Sequence, residues 1–336
     1  MPQSAEDRGL AVFFSTLFCL ALARFALGFL RVPEAAAKPL SLAVSIVFLI
    51  VPVLAIYKAA SAKWSPLRSL AFILGGLLVQ FGLLYVAQNA FTQAPIGQGA
   101  AVALSQAGLI CWCVGIGALI TTMLKDRNLL IPVSIFLALF DLYAVFTPSG
   151  PVQVLMRKAP QLLPSIAYQA PSVASTASTA PRGAPVLPLA FVGPADFLFM
   201  GMFFVAVFRF GLRSGETFRW MLVALAAWIC LSPLLGEMPL LVPIGLSVLL
   251  VNLREFKLNK EEWTSTAVIG AIMVGVVIWG ATRPRPVRIV RESQAGPSQS
   301  AASQGSPAPA SSPSPTSPGP LPSGTPPAPG STPGPR

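Results

Sequence analysis

The chain contains no histidine, and this absence excludes several classes of catalytic site. A zinc metalloprotease takes imidazole ligands, commonly from a His-Glu-x-x-His helix. A hydrolase of the Ser-His type uses imidazole as its general base. Haem ligation and most copper or iron sites become improbable for the same reason. Acid–base chemistry in this protein therefore has to come from Asp, Glu, Lys, Tyr or Cys.

Charged side chains are also scarce: they make up 10% of the 336 residues, whereas 54% are hydrophobic. A soluble domain usually carries about a quarter charged residues. Apolar runs of about twenty residues, the length that a helix needs to cross a bilayer, recur along most of the chain. The composition therefore predicts an integral, multi-pass membrane protein.

The few charges and cysteines point to no soluble partner or cofactor. The net charge of +11 sits mostly in short loops and in an arginine cluster between residues 283 and 291, where it can meet anionic lipid headgroups. No basic-aromatic patch indicates nucleic-acid binding. The four cysteines all lie in apolar segments, and Cys111-Trp112-Cys113 lacks the spacing of a metal or redox pair. We therefore predict buried, unreactive cysteines, no metal and no organic cofactor.

The apolar segments predict an all-α, polytopic transmembrane helix bundle of about nine spans. The predicted spans are 10–31, 39–57, 67–88, 98–124, 129–147, 187–211, 217–236, 238–252 and 264–281. The eighth is short and contains two prolines, so we expect it to be partly unwound or re-entrant. Residues 293–336 are rich in Pro, Ser, Gly and Ala, which predicts a disordered tail.

Asp141 and Asp196 are the only acidic residues set well inside the apolar segments. A carboxylate at membrane depth is costly unless it is paired, hydrated or protonated, and it marks a functional site by default. The fifth and sixth predicted spans are antiparallel, and at about 1.5 Å per residue both aspartates lie roughly 9–14 Å from the same face. Two carboxyl groups at hydrogen-bonding distance share a proton, since both cannot ionise cheaply. Such a pair can activate water and polarise a peptide carbonyl.

Two other features of the chain carry structural expectations. Arg24 is an ionisable residue inside the first span, and we expect it to snorkel toward Arg31 and the headgroups, with a partner in another span as the alternative. The longest internal loop runs from Thr147 to Pro185. Its first part predicts a turn and a short amphipathic stretch, and its second part, from Pro171 to Ala184, is expected to be mobile. Such a loop can gate a site or simply connect two spans.

Three sequence elements resemble the presenilin and signal peptide peptidase family of intramembrane aspartyl proteases, and they are nearer to presenilin. The first is Phe140-Asp141 with the following residues to Pro151, which resembles the family's Tyr-Asp helix and its continuation. The second is Gly193-Pro194-Ala195-Asp196, which resembles the Gly-x-Gly-Asp element. The third is Pro239-Leu240-Leu241, or the overlapping Leu241-Val242-Pro243-Ile244, which resembles the Pro-Ala-Leu element.

The resemblance covers roughly residues 129–252 and implies roles for particular residues. Asp141 and Asp196 are the implied catalytic dyad. The implied substrate-binding residues are Gly193, Pro194, Ala195, Pro239, Leu240, Leu241 and Pro243. Three positions depart from the family: Phe140 replaces Tyr, Ala195 replaces Gly and Leu240 replaces Ala. The family places its second aspartate in the seventh of nine spans, whereas our count places Asp196 in the sixth.

These observations divide the chain into N-terminal helices (1–128), a catalytic core (129–252), a further span with a basic flank (253–292) and the tail (293–336). We expect an intramembrane aspartic endopeptidase that cuts transmembrane helices. Its expected partners are those helices and the lipid bilayer; the sequence leaves accessory subunits open. Two alternatives use the same carboxylates: a proton- or ion-coupled transporter, for which no inverted repeat is visible, and a non-catalytic scaffold that binds transmembrane helices.

Overall fold

A computed structural model describes residues 5–147, 150–235, 239–257 and 259–282. The described residues all belong to one folded unit. The sequence predictions for the arginine cluster after residue 282 and for the tail at 293–336 lie outside the described residues, as does the predicted turn at Pro148 and Ser149.

Helices account for most of the described chain. The α-helices are α1 (Ala5–Leu27), α2 (Glu34–Ala60), α3 (Pro66–Asn89), α4 (Pro95–Met123), α5 (Leu130–Phe146), α6 (Pro151–Lys158), α7 (Leu163–Ile166), α8 (Pro194–Arg209), α9 (Ser214–Leu235), α10 (Leu241–Asn252) and α11 (Lys260–Ala281). Proline occupies the first turn of α3, α4 and α8, where its missing N–H costs no intrahelical hydrogen bond.

Six helical segments among the described residues are long and apolar enough to cross a membrane. They are Arg8–Leu27, Glu34–Ala60, Pro66–Asn89, Pro95–Met123, Arg127–Lys158 and Lys260–Trp279. The prediction of a mostly helical chain with apolar helices of membrane length is confirmed at this level. By contrast, α8 has 16 residues and α10 has 12, so both are shorter than the roughly twenty that a perpendicular crossing needs.

Four short strands depart from the all-α prediction. Strand β1 (Arg31–Val32) pairs in parallel with β3 (Ala174–Ser175), and β2 (Tyr168–Pro171) pairs antiparallel with β4 (Pro188–Val192). The prediction of a sixth helical span from residue 187 is therefore wrong over its first residues, which form β4. Pro194 explains the boundary, because proline disfavours helical geometry in the residue before it and cannot donate to a preceding turn.

The loop between the two aspartates is structured and enters the helix bundle. The predicted amphipathic stretch is confirmed as α6. After α7 the chain runs inward, and Tyr168, Gln169 and Ala170 are only 1%, 5% and 0% exposed. The part that we expected to be mobile contains β3, whose register with β1 is fixed by pairing.

Helix α4 lies at the centre of the bundle, where it packs against α1, α3 and α8. Its most extensive contact is with α3, and glycines allow the two backbones to approach closely there. A methyl group at Gly76 would lie 2.7 Å from the carbonyl oxygen of Gly108 and 2.9 Å from Cβ of Trp112. Small residues at such crossings are typical of helices that pack within a membrane.

This packing predicts opposite effects for two adjacent glycines of α3. A methyl group at Gly76 is forced into α4, and overpacking costs about 1–3 kcal/mol. Gly75 has nothing within 4 Å, so alanine there gains up to about 1 kcal/mol of helix propensity. We expect Gly76→Ala to lower the midpoint of thermal unfolding in detergent and Gly75→Ala to preserve or raise it. Equal midpoints would contradict the close α3–α4 contact.

Candidate active site

Asp141 lies in the last third of α5 and caps the start of another helix. Its Oδ2 accepts a hydrogen bond of 2.8 Å from the backbone N–H of Leu241, the first residue of α10. The first four N–H groups of a helix have no intrahelical partner, so they need an acceptor from elsewhere. Oδ2 of Asp141 is that acceptor for the first N–H of α10. This hydrogen bond joins the chain after Pro239 directly to α5.

Asp196 is the third residue of α8 and closes a reciprocal cap with Gly193. The Gly193 N–H donates to Asp196 Oδ2 at 3.1 Å, and the Asp196 N–H donates to the Gly193 carbonyl at 3.2 Å. The prediction that Asp196 lies well inside a helical span that begins at residue 187 is wrong, because β4 precedes α8. The capped turn instead fixes the carboxyl group at the junction between a strand and a helix.

The structure brings the two aspartates together. Their carboxyl groups interact electrostatically, and both residues are half-buried. Helix α10 packs against α5 and against α8, so all three sequence elements quoted above converge at one place. Each carboxyl group has one oxygen held by a backbone N–H. Two carboxyl groups of this kind, if they approach to hydrogen-bonding distance, can bind a water molecule and share a proton.

The predicted substrate-binding residues differ in their exposure. On the α8 side, Ala195 is exposed while Gly193 and Pro194 are half-buried; on the α10 side, Leu240 is half-buried. These four can line an extended substrate. The side chains of Pro239, Leu241 and Pro243 are covered by protein in this structure. The last two belong to the packed first turn of α10.

Phe140, which precedes Asp141, lies on the outer surface of α5 with 40% exposure. Its ring stacks on Phe136 at a centroid distance of 6.0 Å and lies 6.4 Å from the ring of Tyr143. A phenylalanine here brings no hydroxyl group, so hydrogen bonding beside Asp141 must come from other residues or from water.

Two residues beside the site were not predicted to be there. The thiol of Cys113, in α4, donates to the carbonyl oxygen of Pro194 at 3.3 Å. The ring of Tyr168 packs edge-on against Phe197, next to Asp196, at 5.1 Å. Both contacts join positions far apart in the chain, so no local sequence pattern could reveal them.

Among the side chains that the structure describes, Cys19 and Cys111 lie apart from any metal site. The prediction of buried cysteines is confirmed for Cys113, whereas Cys111 is half-buried and Cys19 is exposed on α1. Within the described ranges, no three Cys, Asp or Glu side chains are grouped closely enough to hold a metal ion.

Strand β4 presents an open edge close to the aspartates. Across the part of the chain that the structure describes, β4 pairs with β2 alone. Leu189, Ala190 and Phe191 are exposed, and Gly193 follows the strand directly. A free strand edge offers unpaired N–H and C=O groups to another extended chain. A segment bound along β4 would run directly toward Asp196.

Comparison of the chain with protein-family models, curated proteins and solved structures finds no match in any of the three. The residues of the chain and their arrangement are therefore the guide to its function. That arrangement comprises two carboxyl groups within range of electrostatic interaction, the start of α10 and an open strand edge.

The register of β2 and β4 predicts a specific cross-link. Ala170 lies opposite Ala190, and opposing Cβ atoms in an antiparallel pair are about 4.5–5.5 Å apart, within reach of a disulfide after small adjustments. With the four native cysteines replaced by alanine, Ala170→Cys with Ala190→Cys should form a disulfide on mild oxidation, detected by peptide mass spectrometry. The control pair Ala170→Cys with Leu189→Cys places one thiol on the opposite face of the strand. Preferential cross-linking of the control pair would show a different register.

Proposed function

We propose that this chain is an intramembrane aspartyl protease of the presenilin and signal peptide peptidase type. The observation that carries the proposal is that Asp141 on α5 and Asp196 on α8 lie within range of electrostatic interaction, with α10 packed against both helices. The sequence resemblance points to the same two residues independently. Carboxyl pairs of this kind are the catalytic groups of aspartic proteases, which need neither histidine nor a metal ion.

The two carboxyl groups can perform peptide hydrolysis without any other ionisable residue. The ionised carboxylate takes a proton from a bound water molecule while the oxygen of that water attacks the carbon of the peptide carbonyl. The protonated carboxyl donates its proton to the carbonyl oxygen, which gives a neutral tetrahedral diol. The C–N bond then breaks, the amine takes up one proton, and a hydroxyl proton returns to the pair. The products are a carboxylic acid and an amine, and the dyad again holds one proton.

The open edge of β4 supports a substrate that binds in extended form. The peptide bonds of a helical substrate are shielded by hydrogen bonds within the helix, so the segment to be cut must unwind. Pairing with β4 would replace the lost backbone hydrogen bonds. Gly193 carries no side chain between the end of β4 and Asp196, and a Cβ there would lie 3.3 Å from Asp196 Oδ2. This leaves space for the substrate backbone next to the carboxyl group.

We further propose that α8, α9 and α10 complete a bundle of nine crossings. Helix α9 has 22 residues, enough to cross the bilayer. The short helices α8 and α10 flank the candidate dyad, and interrupted helices are tolerated at membrane depth where they line a water-filled cavity. Such a cavity would supply the water that hydrolysis consumes.

Asp141→Asn and Asp196→Asn test the proposal. Purified protein in liposomes would be incubated with a labelled transmembrane-helix substrate, and mass spectrometry would identify the fragments. We expect each variant to lose at least about 100-fold of the cleavage rate, because each removes a group that transfers protons. Thermal unfolding would verify that each variant is folded.

Glu216→Gln serves as the control for loss of a carboxylate. Glu216 pairs with Arg213 at the surface, with its side chain 51% exposed, and such pairs contribute little to stability. Its cleavage rate should equal that of the unsubstituted protein. Full cleavage by either aspartate variant would rule out the dyad. Specific helix binding without cleavage by any form would favour the scaffold, and substrate-dependent proton flux would favour the transporter.

A further inference from the structure

Arg24 is buried, with only 3% exposure, in the last turn of a membrane-length helix. Its Nη1 donates to the backbone carbonyl of Gln169, and its Nη2 donates to Gln169 Oε1 at 3.1 Å. The prediction that Arg24 snorkels to the headgroups is therefore wrong. The guanidinium instead reaches from α1 to the backbone of β2.

The backbone and side-chain polar groups of Gln169 all form hydrogen bonds within the bundle. Its backbone N–H donates to Gln106 Oε1 at 2.9 Å, and its Nε2 donates to the carbonyl of Pro164 at 2.7 Å. A cavity of about 10 Å³ adjoins Arg24 and Gln106, roughly the space of one water molecule. The network is therefore closely packed, and its one charged member contacts the strand backbone directly.

Strand β2 needs such an anchor because its pairing with β4 is short and irregular. The pair has a register shift between Ala170 and Pro171. An isolated two-stranded pair is marginally stable, and a slip of one residue would turn every side chain to the opposite face. Gln169 lies opposite Phe191, and Tyr168 lies opposite Val192, the last residue before Gly193. The placement of Gln169 thus determines where β4 ends and where the capped turn of Asp196 begins.

We propose that Arg24 is a positioning residue for the candidate active site. It fixes β2 through Gln169, and β2 fixes β4 and the turn that carries Asp196. Arg24 itself lies in α1 and acts only through these strands. This inference rests on the proposed function for its catalytic consequence, but the anchoring of the strands can be measured without any proteolysis.

Hydrogen exchange followed by mass spectrometry tests the anchoring directly. Arg24→Gln removes the guanidinium, and Arg24→Lys keeps the charge but loses the two-pronged donor. Because hydrogen bonds to charged groups are among the stronger ones, we expect amide exchange in β2 and β4 to rise by about tenfold or more in Arg24→Gln. The increase should be smaller in Arg24→Lys. Amides of α3 should exchange as in the unsubstituted protein. Arg219→Gln, at an exposed arginine of α9, should change neither region.

Gln169→Ala gives a second, independent variant. It removes the Oε1 acceptor of Arg24 and the Nε2 donor to Pro164 but leaves the backbone carbonyl that Arg24 also contacts, so it too should raise amide exchange in β2 and β4. Unchanged exchange of β2 and β4 in Arg24→Gln would overturn the inference. Equal loosening of all helices would also overturn it, because Arg24 would then support only general stability.

Cleavage products supply the readout that a purely structural role would not alter. A loosened β4 should present the substrate in more than one register, so Arg24→Gln should produce several cut positions where the unsubstituted protein produces one main cut. Arg24→Lys should partly restore the single cut. If the unsubstituted protein cleaves nothing, the protease is rejected. Faster exchange in β2 and β4 of Arg24→Gln would still support the anchoring role of Arg24. An unaltered cut pattern with unchanged exchange would reject the role of Arg24 alone.

Discussion

The hydrogen bonds that satisfy a non-helical backbone inside the bundle are the constraint on which the rest of this structure depends. Lipid offers neither donors nor acceptors, so irregular backbone at membrane depth has to be paired with protein. Here side chains from four helices form hydrogen bonds with the segment between the two aspartates. Arg24 and Gln106 hold Gln169, Gln80 donates to the Ser165 carbonyl at 2.7 Å, and Ser45 donates to the Pro171 carbonyl at 2.9 Å. These contacts hold β2 in place, and its pairing with β4 in turn positions the turn that carries Asp196.

Both aspartates accept hydrogen bonds from backbone N–H groups at the start of a short helix, so the two carboxyl groups are held in the same way. Asp141 accepts the first N–H of α10, and Asp196 caps the turn that opens α8. A helix start has unsatisfied donors, whereas a continuous span has none in its middle. Interrupting the helices thus supplies the backbone donors that hold the two carboxyl groups in place.

The sequence predicted those parts of the structure that depend on local composition. Long apolar runs identified α2 to α5 within a few residues, and an acidic residue in such a run drew attention to Asp141 and Asp196. Strand β4 was missed because a short apolar run such as Leu189 to Val192 has the same pattern in a buried strand and in a helix. The partner of Arg24 was missed for a different reason: Gln169 is 145 positions away, and nothing local marks so distant a contact.

That separation has a consequence for how the protein is made. Synthesis proceeds at about 5–20 residues per second, so roughly 7–29 s pass between the emergence of Arg24 from the ribosome and that of Gln169. Throughout this interval the last turn of α1 carries a guanidinium without its final acceptors. An arginine opposes insertion by up to about 2.5–3.5 kcal/mol, the value for the centre of a span. The surrounding leucines and phenylalanines of α1 have to outweigh that opposition on their own. Biogenesis therefore sets an upper limit on how polar α1 can become, independently of what the finished protein does.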